Sequence, residues 1–145
     1  MNLTQEIKLV RVEAATAAGT ADIESDIVDT QGYETVAFIT SSQSVVSTAT
    51  AAVKIQHGDN SSLTDAAAVS GSSISYTNVD TTDDSNTPLF IEASRPLKRY
   101  VRLLIDRSVA NSAWGEIYCL LGKAKHTPVT QTAKTDLVST AGNAA

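Results

Sequence analysis

Apolar and polar residues alternate with a period of two along most of this chain. The clearest run covers residues 45–56, where Val53 and Ile55 point to one side and Lys54 and Gln56 to the other. This alternation is typical of a β-strand with one buried and one solvated face. No long stretch shows the i, i+3, i+4, i+7 spacing of an amphipathic helix. The pattern therefore predicts an all-β chain.

Further strands follow from the same pattern. Residues 33–40 are apolar on both faces, and the short link 41–44 to the next strand has the length of a hairpin loop. We therefore expect these two strands to pair. A cap at Ser62 or Thr64 predicts a single helical turn at 65–69. Weaker strands, bounded by turn-forming residues, are predicted at 6–14, 22–28, 73–79 and 88–92.

The segments 97–106 and 113–121 carry the strongest apolar signal. Apolar and polar positions alternate in the first segment, and a short polar loop separates it from the second. The two segments are predicted to form the central hairpin of a β-sandwich. Trp114 and Tyr118 are expected on one face of the second strand, as core residues or as interface anchors.

The number and spacing of the predicted strands indicate the fold. About eight strands at spacings of roughly ten to fifteen residues are typical of a sandwich or jelly roll. We predict one antiparallel β-sandwich domain, jelly-roll-like, over residues 1–122. Residues 123–145 lose the alternation, which predicts an extended C-terminal arm. We expect this arm to lie along another subunit; the alternative is an arm folded back on its own domain.

Composition limits how well such a domain can be stabilised. The chain has 145 residues, of which 5% are aromatic and 42% apolar, and Ala supplies much of the apolar share. A core built mainly from Val, Ile and Leu with one Trp is thin for this length. A thin core favours association, because a partner chain can cover sheet edges and half-buried faces.

Charge and hydropathy argue against two classes of partner. The net charge is −5 and the isoelectric point is near 4.8, whereas nucleic-acid binding needs a dense Lys/Arg face. The sequence has no apolar run long enough to span a membrane, and its first residues lack the layout of a signal peptide. We expect a protein made in a cytoplasm, with neither nucleic acid nor membrane as partner.

Residues suited to catalysis or metal binding are few. The segment 71–75 approaches a nucleophile elbow but has Ser75 where a glycine is required. His57 precedes turn-forming residues and is predicted to lie in a turn, and Cys119, the single cysteine, is predicted to pack in the core. The acidic run 80–84 fails the EF-hand template and is predicted to be a solvated loop. We expect no catalytic residue, no cofactor and no metal site, and therefore no enzyme.

Basic residues around the strand at 97–106 form a charge concentration with a defined geometry. Arg side chains pair bidentately with carboxylates, and in an acidic oligomer those carboxylates can belong to neighbouring subunits. The alternative is a solvated strand face with ion pairs inside the chain. The cluster consists of Arg95, Lys98, Arg99, Arg102 and Arg107.

Several short motifs resemble one group of proteins. They are a Gly-Tyr strand at 32–39, a Leu-Thr-Asp-Ala loop at 63–67, and Arg-Pro-Leu-Lys-Arg-Tyr-Val-Arg at 95–102 followed by Asp106 and Arg107. In this order and over nearly its whole length, the chain is similar to small structural proteins of tailed bacteriophages.

The resemblance implies a head decoration or cement protein without catalytic residues. Such a protein would be made in the host cytoplasm and sit on the outer capsid surface as a homo-oligomer, with a trimer expected. Its partners would be the major capsid protein and other copies of itself. The residues expected to contact partners are Arg95, Lys98, Arg99, Tyr100, Arg102, Arg107, Pro128, Val129, Leu137 and Val138.

An alternative function is recognition of the host surface. A β-sandwich on a phage tail or fibre can bind a host-surface glycan or receptor, which requires exposed aromatic side chains near loops. Besides Trp114, the chain has few aromatic residues, and Tyr100 and Tyr118 lie inside predicted strands. The capsid function is therefore the leading hypothesis.

Overall fold

Two antiparallel β-sheets pack face to face in the computed structural model, which describes residues 2–138. A short helix, α1, precedes the strands. The elements are α1 Leu3–Glu6, β1 Lys8–Glu13, β2 Thr16–Gly19, β3 Ile23–Glu24, β4 Val28–Asp29, β5 Thr35–Val45, β6 Thr50–Gly58, β7 Ala67–Ala68, β8 Ile74–Val79, β9 Thr82–Asp83, β10 Pro88–Ser94, β11 Tyr100–Val109, β12 Ser112–Trp114 and β13 Ile117–Gly122.

The strand order is that of a jelly roll. In the first sheet β1 pairs with β13, β13 and β12 pair with successive parts of β5, and β10 pairs with the other side of β5. In the second sheet β3 and β4 pair with β11, followed by β6 and β8. The first and last strands in the sequence, β1 and β13, thus pair with each other. Moving inward along the sequence, β3 and β4 pair with β11, β5 pairs with β10, and β6 pairs with β8. This confirms the predicted all-β sandwich.

The core lies between the two sheets and has the predicted composition. Its largest fully buried side chains include Trp114 and Phe38 from the first sheet and Ile55, Leu103 and Ile105 from the second. The remaining core residues are mostly Val, Ile, Leu and Ala. The burial of alternate residues along β6 and β11 is what the period of two predicted.

The predicted hairpin between β5 and β6 is wrong. β5 continues through 41–44 to Val45, and the chain then turns at 46–49, where Thr48 has a positive φ of 69°. The two strands belong to different sheets. Ser42 looked like a loop residue but is buried, and its hydroxyl oxygen accepts a hydrogen bond from the N–H of Thr87 at 3.1 Å. A small polar residue satisfied in this way can occupy an inward strand position.

The predicted central hairpin is also wrong. β11 is a strand of the second sheet, whereas β12 and β13 belong to the first. The short loop between β11 and β12 therefore crosses from one sheet to the facing one. Both segments do contain strands, although the second is divided into β12 and β13, and the sequence pattern did not say which sheet each strand joins.

Trp114 and Tyr118 do not share a face. The strand breaks at Gly115 and Glu116, and its register with β5 shifts between Ala113 and Trp114. Trp114 is fully buried, while Tyr118 is half-buried on the outer face of the first sheet. A break of this kind reverses which residues point inward.

Three smaller predictions differ from the structure. Residues 65–69 form turns and the short strand β7 in place of a helical turn. A helical turn occurs instead at Leu3–Glu6, and the strand predicted from residue 6 begins only at Lys8. His57 lies near the end of β6, and its Nδ1 accepts a hydrogen bond from the N–H of Lys98 at 3.2 Å. That bond links β6 to the loop before β11.

The described part of the C-terminal segment, residues 123–138, contains no helix or strand. It packs against its own N-terminal segment, because the N–H of Val129 donates to the carbonyl of Gln5 at 2.9 Å. The side-chain amide of Gln131 also accepts from the N–H of Leu9 at 3.1 Å and donates to the carbonyl of Thr4 at 3.0 Å. Contact between the arm and another subunit stays a prediction, and residues 139–145 lie outside the described part.

Candidate interaction surface

The predicted basic cluster is engaged mainly in bonds within the chain. Arg99 pairs bidentately with Asp29, with both N–O distances 2.9 Å. The hydrogen bond from Arg99 lowers the pKa of Asp29, and the same bond raises the pKa of Arg99. Arg99 also lies over the Tyr100 ring, 5.1 Å from its centroid. This pair joins the start of β11 to β4.

Two more cations of the cluster have partners on, or next to, neighbouring strands. Arg102 contacts Glu24 at 3.2 Å and donates to the side-chain oxygen of Gln56 at 2.8 Å. Lys98 lies 3.7 Å from Asp59. For these residues the structure shows the ion pairs inside the chain that the sequence left open as an alternative. A contact with a partner stays a prediction.

Arg95 forms hydrogen bonds to backbone carbonyls, and no carboxylate among the described residues lies at salt-bridge distance from it. Its guanidinium donates to the carbonyls of Leu97 at 2.6 Å, Thr30 at 3.2 Å and Tyr33 at 3.1 Å. The side chain is thus fixed by neutral carbonyl groups, and its positive charge stays at this end of the sandwich.

Arg107 is not available to a partner, contrary to the prediction. It is 4% exposed and has the inward parity of the β11 core residues. Its guanidinium donates to the carbonyls of Ala21 at 2.7 Å, Ala17 at 2.9 Å and Ser112 at 2.6 Å. Burial lowers the pKa of Arg107, and nearby Asp22 opposes that shift. Its role is to join three backbone segments.

The predicted partner residues of the arm lie at the surface to different degrees. Leu137 is 47% and Val138 69% exposed. Pro128 is exposed, while Val129 is half-buried where it bonds to Gln5. The two large apolar side chains near the end of the described segment are thus open to solvent.

The first sheet carries an apolar row on its outer face. Phe90 on β10 lies opposite Ile39 on β5, and Ile39 lies opposite Tyr118 on β13. The row continues beside Leu120, which lies opposite Leu9. Phe90 is 68% exposed. We call Phe90, Ile39, Tyr118, Leu120 and Leu9 the outer strip.

The arm covers only one end of the outer strip. Ala133 and Lys134 line a cleft together with Leu9 and Leu120. Phe90, at the other end, is the most exposed large apolar side chain among the described residues of β1 to β13. Such an exposed apolar patch on a sheet face is typical of a protein interface.

Sequence analysis missed the outer strip, although one signal was present. Phe90 occupies the solvent-facing parity of β10, between the inward Leu89 and Ile91. A large aromatic residue at that parity is expected to lie exposed on the outer face of the sheet. Its alignment with Ile39 and Tyr118 depends on strand register, which the sequence does not give.

The described residues offer little reactive chemistry. Cys119 is buried in the core as predicted, and burial raises the pKa of its thiol to about 12. Within residues 2–138, no three His, Cys, Asp or Glu side chains are grouped so that they could hold a metal ion. In the same part of the chain no helix is long and apolar enough to cross a bilayer.

Comparison with known proteins gives no family. No protein-family model matches the chain, and no curated protein matches it. Among solved structures, a crystal structure of PirA is similar at 8% identity, with 81% of this chain and 93% of that chain covered and a TM-score of 0.35. A likeness this weak carries no argument, so the fold rests on the strand order described above.

Proposed function

We propose that this protein is a non-enzymatic structural protein of a virion, which binds and stabilises a shell of major capsid protein as a homo-oligomer. The observation that carries the proposal is the outer strip, because it places a row of apolar side chains across the outer face of the first sheet. Phe90, 68% exposed, is its most open member.

The shape of this surface suits a shell better than a small ligand. The outer strip runs across adjacent strands of one sheet, so it presents a broad face rather than an enclosed pocket. Protein interfaces of standard size bury roughly 800 Å² on each partner, and aromatic side chains contribute strongly to them. Jelly rolls occur in viral capsid proteins, which agrees with the proposal by analogy only.

Sedimentation with preassembled shells tests the proposal. The purified protein is mixed with shells of the major capsid protein encoded by the same genome, and the bound fraction is measured after pelleting. Tyr118→Thr removes an aromatic side chain from the outer strip but keeps a residue suited to a strand. We expect at least about a tenfold loss of shell affinity, which corresponds to 1.4 kcal/mol.

Val79→Thr is the matched control. Val79 is 46% exposed, but it lies on β8 of the second sheet, away from the outer strip. It should bind shells like the wild type. Wild-type protein that does not pellet with shells, and does not raise their resistance to heat, would refute the capsid function. Specific binding to a glycan array would support the receptor-binding alternative in its place.

A further inference from the structure

β10 presents an open sheet edge. Among residues 2–138 it has one strand neighbour, β5, although it is seven residues long. An edge strand of this length offers unpaired N–H and C=O groups to another chain, and proteins usually protect such edges with charges, bulges or short strands. Here Glu92 is the single charged side chain between Pro88 and Ser94.

The hydrogen bonds at both ends of β10 show which groups are free. The carbonyl of Thr87 accepts from the N–H of Ser42 at 3.0 Å, and the N–H of Arg95 donates to the carbonyl of Glu34 at 3.1 Å. Odd-numbered residues of β10 therefore bond toward β5, because antiparallel strands alternate between bonded and non-bonded pairs. The N–H and C=O groups of Phe90 and Glu92 point to the open edge.

The two ends of β10 carry opposite charge. Asp80, Asp83 and Asp84 precede the strand, and none of them has a cation at salt-bridge distance in the described part of the chain. Arg95 follows the strand, and none of the described carboxylates lies at salt-bridge distance from it. The strand is about 20 Å long, so the ends are separated by more than the screening length at physiological salt.

We propose that β10 pairs in antiparallel orientation with β10 of a second copy, about a two-fold axis at Ile91. The acidic start of each strand then lies beside Arg95 of the other copy, whereas parallel pairing would place like charges together. Phe90 faces Glu92 of the other copy, and these residues exchange reciprocal backbone hydrogen bonds. The outer strips of the two copies then lie on the same face of one continuous sheet.

Neighbouring registers are less favourable. Centring the pair on Glu92 places the two carboxylates directly opposite each other, which is destabilising. Pro88 has no N–H, and its carbonyl already accepts from the Tyr76 hydroxyl at 2.9 Å, so it cannot form a complete bonded pair in any register. Centring the pair on Phe90 sets Glu92 opposite Pro88 and leaves one complete bonded pair, whereas centring it on Ile91 sets the terminal Ser94 opposite Pro88 and keeps two. With Ile91 at the centre, the two Phe90 rings are diagonal neighbours within reach of each other.

This pairing deepens the self-association that is part of the proposed function. A two-fold interface builds dimers or larger even-numbered assemblies, in contrast to the trimer expected from the resemblance. Solution mass tests the pairing without any shell. A monomer that still binds shells would refute the pairing alone, and a dimer that does not bind them would refute the capsid function alone.

A proline substitution at the open edge distinguishes a loss of β10 pairing from a loss of folding. Glu92→Pro removes an N–H that points away from β5, so the monomer fold should survive, since proline is tolerated on such edges. Glu92→Ala is the matched control, because it removes the same side chain and keeps the N–H. By sedimentation equilibrium we expect a dimer for wild type and Glu92→Ala, and at least about tenfold weaker dimerisation for Glu92→Pro. Circular dichroism verifies the fold of each variant.

Disulfide trapping gives a second test that does not depend on Glu92→Pro folding. Native Cys119 is buried, so a cysteine introduced at the edge is the reactive thiol. Copies carrying Phe90→Cys are mixed with copies carrying Glu92→Cys and oxidised. We expect the mixed dimer to exceed both homodimers. A wild type that stays monomeric to about 100 µM, or a mixture without preference for the mixed disulfide, overturns the proposal.

Discussion

Tyr76 meets Trp114 edge to face, with ring centroids 4.8 Å apart and ring planes inclined by 67°. Tyr76 comes from β8 of the second sheet and Trp114 from β12 of the first, so this contact joins the two layers. Both polar atoms are satisfied: Trp114 Nε1 donates to the hydroxyl of Ser112 at 3.0 Å, and the Tyr76 hydroxyl donates to the carbonyl of Pro88 at 2.9 Å. Burial of Tyr76, with nearby Asp84, raises the pKa of its hydroxyl.

Removing an aromatic side chain from this contact should lower the free energy of unfolding strongly, because the core contains few aromatic residues. Trp114→Ala is expected to lower the free energy of unfolding by about 3–5 kcal/mol, as large-to-small core substitutions do. Urea denaturation followed by circular dichroism measures the change. Tyr76→Phe keeps the ring contact and loses the bond to Pro88, so it should cost only about 1 kcal/mol. Equal losses for the two variants would contradict this account.

Arg107 should be essential for stability although it is charged. Arg107→Met keeps an unbranched apolar chain but leaves the carbonyls of Ala17, Ala21 and Ser112 without their donor. A buried unsatisfied polar group costs about 1–3 kcal/mol, so we expect a loss of at least about 2 kcal/mol in chemical denaturation. Arg11→Met is the control, because Arg11 is exposed and forms a surface ion pair with Glu116. It should change stability by less than about 1 kcal/mol.

The Cys119 thiol should be inert in the native protein. At pH 8 we expect a thiol reagent to label it only after denaturation, because burial keeps it protonated and inaccessible. Its folded pKa of about 12 exceeds the ordinary value of 9.0, so its stabilising contribution is present below pH 9 and is lost as the pH rises toward 12. The stability advantage of wild type over Cys119→Ala should therefore shrink above pH 9. Rapid labelling of native protein would contradict the prediction.

The Asp29–Arg99 pair should contribute little to folding stability, and this contribution should be present only above acidic pH. Both side chains are nearly half exposed, so solvent screens the pair and we expect only a small stabilising contribution at pH 7. Because Arg99 lowers the folded pKa of Asp29 below 3.8, this contribution is lost as the pH falls through the folded pKa. A double-mutant cycle with Asp29→Asn and Arg99→Gln at pH 7 and pH 2.5 measures it. A coupling that persists unchanged at pH 2.5 would contradict the assignment.

Several local features were predictable because they depend on residues close together in sequence. The segments predicted at 73–79 and 88–92 correspond to β8 Ile74–Val79 and β10 Pro88–Ser94. Cys119 is in the core, as its parity with Ile117 and Leu121 indicated. In each case, alternation reports which side chains face the interior, and a strand has only two faces.

The candidate surface was predictable only in part. The solvent-facing parity of Phe90 can be read from β10 alone, but its place in a row with Ile39 and Tyr118 follows from pairing between strands far apart in the chain. Arg107 shows the same division. Its inward parity is visible in sequence, yet only the fold brings Ala17, Ala21 and Ser112 around it to satisfy the guanidinium.

The sequence by itself determined that this protein is an all-β sandwich with a core of small aliphatic residues around one Trp, because period-two alternation and composition are local properties. Tertiary structure alone decided that β5 and β6, and likewise β11 and β12, lie in opposite sheets. A short loop can reverse a strand within its sheet or carry it to the facing sheet about 10 Å away, and alternation is the same in both cases. The jelly-roll pairing, and with it the open edge of β10, arises from that choice.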